Sequence, residues 1–299
     1  MKLLRFDSGD GPRLGALAEG RIVDLKYAAR KLNLGVPEGW LDPDINNLIS
    51  AGPDALKAVG AVIFRVHEAA DASLVSGDVR LLAPVQSPSK IIAVGQNYMD
   101  HVREQSIKPP ERPILFSKAP TSIIGPGDAI SWPAGFTSQV DPEVEVGVII
   151  GSRTKGVSVS AALDSVFGYT VLNDVSARDV QFGDVQWVRG KSPDTFCPLG
   201  PVIVTRDEIP DPQNLRLSCA VNGRAWQDSN TKEMIFSIAA LISFIAQGIT
   251  LLPGDIVATG TPHGVGVFQH PPVFLKAGDR LRLEIEKIGV LENPVGGPF

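Results

Sequence analysis

Short apolar runs broken by glycine and proline dominate this chain, the pattern of short strands rather than of long helices. The first of them, Lys2 to Phe6, Leu14 to Leu17 and Arg21 to Leu25, are separated by turns such as Asp10-Gly11-Pro12 and predict a small N-terminal sheet. Helical spacing follows near Asp24 to Leu32 and from Pro53 to Val66, where a proline at the helix start sacrifices only an N–H that has no partner there. The less patterned stretch Glu68 to Asp78 then places a domain boundary, giving a small N-terminal α/β domain over 1–75 and a larger domain over 76–299. In the larger domain Val221-Asn222-Gly223-Arg224 is a clear hairpin signal, because Asn-Gly accepts positive φ at both central turn positions. The fold class expected is α+β, mostly β.

One segment invites a different reading. Met234 to Gly254 carries no charged residue and reaches the length of a membrane span. Gln247-Gly248 stops a helix, however, and Pro253-Gly254-Asp255 turns the chain. What remains, from about Met234 to Gln247, is a core helix too short to cross a bilayer.

Composition narrows the function. A chain of 299 residues with 43% hydrophobic content buries a substantial core. Its net charge of -5 and lack of any sustained Lys/Arg run argue against nucleic acid and anionic membrane as partners, and leave a small molecule. Only Cys197 and Cys219 occur, with no disulfide framework, and Met1 to Asp7 has no secretory character, so the cytoplasm is the expected location.

Candidate chemistry begins in Asp141-Pro142-Glu143-Val144-Glu145-Val146-Gly147-Val148-Ile149-Ile150. Residues two apart on a strand share a face, so Glu143 and Glu145 aim two carboxylates the same way at the mouth of an apolar strand. Mutual repulsion calls for a positive charge between them, and a divalent cation is the simplest candidate. Asp174, ending the strand-like run Gly168 to Asn173, offers a third carboxylate. A metal-dependent enzyme is the resulting expectation, against the alternative of exposed strand residues neutralised by Lys or Arg.

Upstream, the strand Ile91 to Val94 leads into Gly95-Gln96-Asn97-Tyr98-Met99-Asp100-His101-Val102-Arg103-Glu104. His101 and Glu104 share one face of a short helix, and a carboxylate beside an imidazole fixes its tautomer and raises its basicity, as a general base requires. A surface ion pair is the plain alternative. Arg178 and Gln181 share a face in the segment after Asp174, and with Lys191 they could reach a ligand bound at the carboxylates; solvated side chains are the alternative here. The segment Ala258 to Gly266 is a glycine-rich loop able to offer N–H groups and hydroxyls to an anion, but it lacks the lysine and spacing of a nucleotide loop. Gln105 to Pro113, polar and proline-rich, is expected to form a lid. Among the remaining histidines, His67 is read as ending a helix, His270 as a loop residue, and His263 as a third possibility for the pocket.

Taken together, Gly95-x-Asn97-Tyr98-x-x-His101-x-x-Glu104, Phe116-Ser117-Lys118, Glu143-x-Glu145, Asp174-Val175-Ser176-Ala177-Arg178-Asp179-x-Gln181, Lys191 and Thr259-Gly260-Thr261-Pro262-x-Gly264-Val265-Gly266 resemble the fumarylacetoacetate hydrolase family from about Val79 onward. Asp194 to Pro201 and Gly266 to Leu275 most resemble its domain-containing protein 2 branch. The resemblance implies a mixed β-sandwich roll as catalytic domain and a homodimer. It implies Mg2+ or Mn2+ on Glu143, Glu145 and Asp174, with Ca2+ a third candidate in a crystal. It further implies His101, Glu104 and Lys191 as catalytic residues, and Arg178, Gln181, Thr261, Lys118 and Tyr98 as substrate-binding residues. The founding hydrolase takes a further aspartate ligand where this chain has the Gly95-Gln96-Asn97-Tyr98 segment, which disfavours fumarylacetoacetate itself. The implied activity is on small 2-oxo (1,3-dicarbonyl) acids through a metal-stabilised enolate: oxaloacetate tautomerisation or decarboxylation, or C–C hydrolysis of acylpyruvates. The rivals are an isomerase or decarboxylase of aromatic-degradation intermediates and a non-catalytic metal-binding homologue.

Overall fold

The computed structural model of the chain describes residues 1–69, 75–76 and 79–299, with only the backbone strand described at 75–76. Most of the expected boundary stretch therefore lies outside the described residues. The main path of the large sheet runs in the order Val75–Ser76, Arg21–Asp24, Pro12–Ala18, Lys2–Asp7, Cys197–Thr205, Val166–Asn173, Val144–Ile150, Ile256–Ala258, Ile91–Gly95 and Ile114–Lys118. The N-terminal strands thus continue the sheet of the larger segment, joined to it where Lys2 and Leu3 pair with Val204 and Ile203.

Strand periodicity explains the layering. Val148, Val171, Val204 and Leu4 pack with Leu217, Leu283 and Leu291 of a second sheet, whose order is Arg224–Asn230, Arg216–Val221, Arg280–Ile285, Gly289–Pro298 and Ile130–Trp132. Their neighbours Ile149, Leu172, Ile203 and Leu3 point to the opposite face, against Leu25, Ala28, Leu48 and Val59 of the N-terminal helices. With both faces covered, Val144–Ile150 is buried at every position. This is the expected sandwich of two sheets, mostly strand, with helices on the outer face of one.

The helix Leu25–Lys31 starts where the Asp24 carboxylate accepts from the Tyr27 N–H, and Pro53–Ala69 follows its proline signal. The helix Ile45–Ala51, capped by Asp44, carried no pattern strong enough to predict it. The apolar helix spans Ile238–Gly248, later than the expected Met234. Residues 235–236 are instead held by Asn97, which takes the Ile235 N–H on its carbonyl and both the N–H and C=O of Phe236 on its side chain, so Ser237 becomes the cap. Among the described residues no helix is long and apolar enough to cross a membrane. Asn222 and Gly223 have φ of 51° and 78°, as the Asn-Gly hairpin requires.

Candidate active site

Four adjacent strands inside the large sheet bring the site together at one end of the strands. Val144 pairs with Asn173 across an antiparallel ladder, Ala258 lies beside Gly147, and Ala93 runs parallel to Ala258. Glu143 and Glu145 at the start of one strand, Asp174 at the end of the next, the Thr259–Thr261 turn and the Gly95–Glu104 segment must therefore meet.

They do. One oxygen from each of Glu143, Glu145 and Asp174 lies within 4.8 Å of the others, and all three residues are buried. Lys191 Nζ bridges two of them, donating to Glu143 Oε2 and Asp174 Oδ2 at 2.7 Å each. Arg178 Nη2 lies 2.6 Å from Glu143 Oε1, its Nε donates to Asp141 Oδ2 at 2.8 Å, and its Nη1 donates to Gln181 Oε1 at 3.0 Å. Lys118 is wholly buried on the far side: its ammonium lies 2.7 Å from Asp174 Oδ1 and reaches the Lys191 carbonyl.

Burial raises carboxyl pKa values, and the cations decide which groups escape that. For Glu143, burial is outweighed by the Lys191 and Arg178 charges, and the carboxyl is held well below the usual range. No ion pair involving Glu145 occurs among the described residues, and its Oε2 accepts only the Gly260 N–H, at 2.9 Å. Burial, then repulsion from Asp174 and Glu143, pushes Glu145 well above the usual carboxylate range. Burial would also discharge Lys191, but Asp174 and Glu143 more than compensate and raise its pKa.

The donor set suits a hard divalent cation. Three carboxylates converge without histidine or cysteine, the ligand type of Mg2+, Mn2+ or Ca2+. Lys191 already stands as a cation between two of them, and Glu145, uncompensated, is the member that lacks one.

His101 and Glu104 lie on the helix Met99–Glu104. His101 Nδ1 is 2.9 Å from Glu104 Oε2, and Glu104 Oε1 accepts the Gly264 N–H at 2.9 Å. His101 is buried and Glu104 half-buried, and the His101 ring also meets Phe268 at a tilt, with centroids 5.7 Å apart. With Glu104 accepting from Nδ1–H, Nε2 is left as the basic nitrogen. Two glycines make the approach of these loops feasible. A Cβ at Gly260, φ +92°, would stand 2.8 Å from Asn97 Cβ, and one at Gly264, φ +97°, would stand 2.0 Å from the Trp226 carbonyl oxygen.

One small cleft of about 60 Å³ joins His101 to Glu143, Glu145, Asp174, Arg178, Gln181, Lys191 and Thr261, between the aromatic side chains Phe116, Trp187 and Phe268. Tyr98 and Lys118 do not line it. Tyr98 is fully buried with an unpartnered hydroxyl, and Lys118 braces Asp174 from behind. The Thr261 hydroxyl donates to the Val144 carbonyl at 3.0 Å, and all three Arg178 nitrogens have protein partners, so both residues shape the cleft while already engaged. His263 does not line the cleft and is exposed, with Nδ1 3.0 Å from Asp100 Oδ2, and His67, in the last turn of its helix, faces Glu19. Gln105 lines the cleft, and the stretch from Ser106 to Pro109 is exposed.

Sequence reasoning passed over Asp141, although it continues the alternation of Glu143 and Glu145. Pro142 interrupts the strand there, and Val140–Asp141 pairs with Ser176–Ala177 in a separate ladder. Asp141 consequently turns to Arg178 and to the N–H groups of Gly266 and Val267, at 2.7 and 3.1 Å. The aromatic walls had no sequence signal, because Phe116, Trp187 and Phe268 are brought together from distant segments.

Comparison with known proteins gives this arrangement its context. The family model described as fumarylacetoacetate (FAA) hydrolase, C-terminal, matches residues 90–296. A mitochondrial oxaloacetate tautomerase of Xenopus laevis is 42% identical over 299 residues, covering 99% of this chain and 90% of the relative. Among solved structures, a fumarylacetoacetate hydrolase from Exiguobacterium antarcticum superposes with a TM-score of 0.84 at 37% identity, covering 99% of each chain. A maleylpyruvate hydrolase from Sphingobium sp. SYK-6, in complex with manganese(II) and pyruvate, superposes with a TM-score of 0.77 at 32% identity over the whole of both chains.

Proposed function

The chain belongs to the fumarylacetoacetate hydrolase family, and from that premise we propose that it is a divalent-metal enzyme acting on small 2-oxo acids, with oxaloacetate tautomerisation as its leading reaction. One observation carries the reading: a cluster of three buried carboxylates faces a carboxylate-anchored histidine across a single small cleft. Named relatives that act on oxaloacetate, and a solved neighbour holding manganese(II) and pyruvate, support it.

Glu143, Glu145 and Asp174 would hold the cation, for which Mg2+ or Mn2+ is the natural occupant of a hard oxygen set. When bound, such an ion supplies Lewis-acid stabilisation of the negative charge that develops as a 2-oxo acid enolises. The protein's own groups move the protons. His101 Nε2 takes a proton from C3 of oxaloacetate, Glu104 stabilises the resulting imidazolium, and Lys191 donates a hydrogen bond to the developing enol oxygen. Return of that proton to the oxygen completes the keto–enol exchange without a nucleophile. The same dyad, given a water, could direct C–C hydrolysis of an acylpyruvate. Arg178, Gln181 and Thr261 fix the shape of the binding surface. Lys118 and Tyr98 act from beneath it.

The remaining parts of the proposal are a catalytic unit over 76–299 behind an N-terminal unit over 1–75, a homodimer, and a cytoplasmic location set against relatives that are mitochondrial. The deciding experiment follows oxaloacetate enol and keto absorbance and pyruvate release in parallel, with and without Mg2+, beside acetylpyruvate. Metal-dependent enol loss without pyruvate supports tautomerisation. Pyruvate from oxaloacetate means decarboxylation, pyruvate only from acetylpyruvate means hydrolysis, and no metal-dependent change in any channel overturns the reading.

A further inference from the structure

We infer that Gln227 is a positioning residue that locks the peptide between the two metal-cluster glutamates to the Thr261 turn. Gln227 lies on Arg224–Asn230, the edge strand of the second sheet, and is the only buried residue of that strand. A bulge aims it inward. Cys219 pairs with Gln227 while Ala220 pairs with Ala225, so Trp226 is an extra residue and the strand is re-aimed at that point.

A wholly buried carboxamide is costly unless each polar atom is matched, and here each is. Gln227 Oε1 accepts the Val144 N–H at 2.9 Å. Nε2 donates to Thr261 Oγ1 at 2.8 Å and to the Pro262 carbonyl at 2.9 Å. Thr261 Oγ1 in turn donates to the Val144 carbonyl at 3.0 Å. The result is a closed ring through Val144 N–H, Gln227, Thr261 and Val144 C=O. Both polar groups of Val144 are thereby fixed, and with them the directions in which Glu143 and Glu145 leave the backbone on either side. An apolar residue at 227 would fill the same space and leave the Val144 N–H and the Pro262 carbonyl unmatched, with Thr261 keeping only its bond to the Val144 carbonyl. The ring also ties the cleft residue Thr261 to the spacing of the carboxylates, so metal affinity and cleft shape share one support.

This inference rests on the metal reading proposed above. Its test is Mn2+ titration of the full chain by electron paramagnetic resonance, comparing the parent protein with Gln227→Met, each shown to be folded by circular dichroism at the working temperature. The ring predicts Mn2+ binding weakened by about tenfold or more, the usual effect of removing a residue that orients a ligand. A Kd within twofold of the parent, even with a lowered Tm, would make Gln227 a packing residue and overturn the inference. Should Gln227→Met not fold, Thr261→Val opens the ring from the cleft side and carries the same expectation and the same refutation. The double variant distinguishes a ring from separate contacts: weakening close to that of the worse single variant supports it, and multiplied weakening overturns it. If the parent chain itself binds no Mn2+, the metal reading fails and this inference with it.

Discussion

Lys191→Met separates the two jobs of the site. The Lys191 ammonium holds Glu143 Oε2 and Asp174 Oδ2 at 2.7 Å each, and a cation binding among the carboxylates would compete with these charge-assisted bonds, displacing at least one of them. Such a bond has a net worth of about 1.5–3 kcal/mol. At about 1.4 kcal/mol per decade, the competition weakens metal binding by roughly 10- to 150-fold. Methionine keeps an unbranched side chain of similar length beside Phe116, over whose ring the Lys191 ammonium stands at 5.2 Å, and has no ammonium to displace. The variant is therefore expected to bind Mn2+ at least about tenfold more tightly than the parent while losing most of its turnover of oxaloacetate. Without metal it should also melt lower, because Glu143 and Asp174 have lost the cation they share beside Glu145, and saturating Mn2+ should raise its Tm by more than it raises the parent's. Titration by electron paramagnetic resonance and thermal unfolding with and without Mn2+ measure both. Equal or weaker Mn2+ binding by the variant would refute the competition and leave Lys191 as a support of the ion.

Glu104→Gln removes the charge behind His101 and should lower kcat by about 100-fold or more with Mn2+ affinity unchanged, since general-base catalysis commonly contributes that much; an unchanged kcat on oxaloacetate and acetylpyruvate would sink the dyad role. Asp141→Ala strips the acceptor from Arg178 Nε and from two backbone N–H groups. Breaking a buried pair costs about 3–5 kcal/mol, so the melting temperature of a chain this size should fall by roughly 5–8 °C, and a drop under about 2 °C would contradict the burial argument. Glu145, whose pKa is raised by burial and by its acidic neighbours, holds a proton in the metal-free protein at pH values where an ordinary carboxylate has lost it. A metal ligand must be deprotonated, so Mn2+ affinity should rise with pH and binding should release a proton. Calorimetry in two buffers of different ionisation heat reads this directly, and identical heats would exclude it.

The carboxylate cluster was legible in the sequence because strand periodicity is local: Glu143 and Glu145 had to share a face, and the apolar run after them had to enter a core. The His101–Glu104 pair was legible for the same reason at helical spacing. The Asn222-Gly223 turn and two N-terminal helices also followed from local rules. What could not be read depended on tertiary contact. Whether Lys118 faced the cleft or the back of Asp174 turns on strand order, and Gln227 becomes a site residue only through a bulge that brings its strand edge to Val144. The late start of Ile238–Gly248 has the same origin in the Asn97 loop. The resemblance supplied the sandwich and the roles, where residue spacing alone reached a β-rich domain and a metal.

The site is divided between two kinds of backbone. The carboxylates leave the ends of central strands buried on both faces, whereas the histidine pair sits on a six-residue helix that leads into an exposed loop. The carboxylate half is fixed by the sheet, and the start of the histidine segment is tied to it, since buried Asn97 donates to the Thr259 carbonyl beside the Gly260 N–H that Glu145 accepts. The exposed stretch from Ser106 to Pro109 carries no such tie and is the part free to vary in length. Moving the imidazole by a fraction of a turn would decide whether it meets a carbon-bound proton or a water molecule. The exposed stretch after the helix is accordingly where the position of the imidazole can be adjusted while the buried strand ends that carry the carboxylates stay in place.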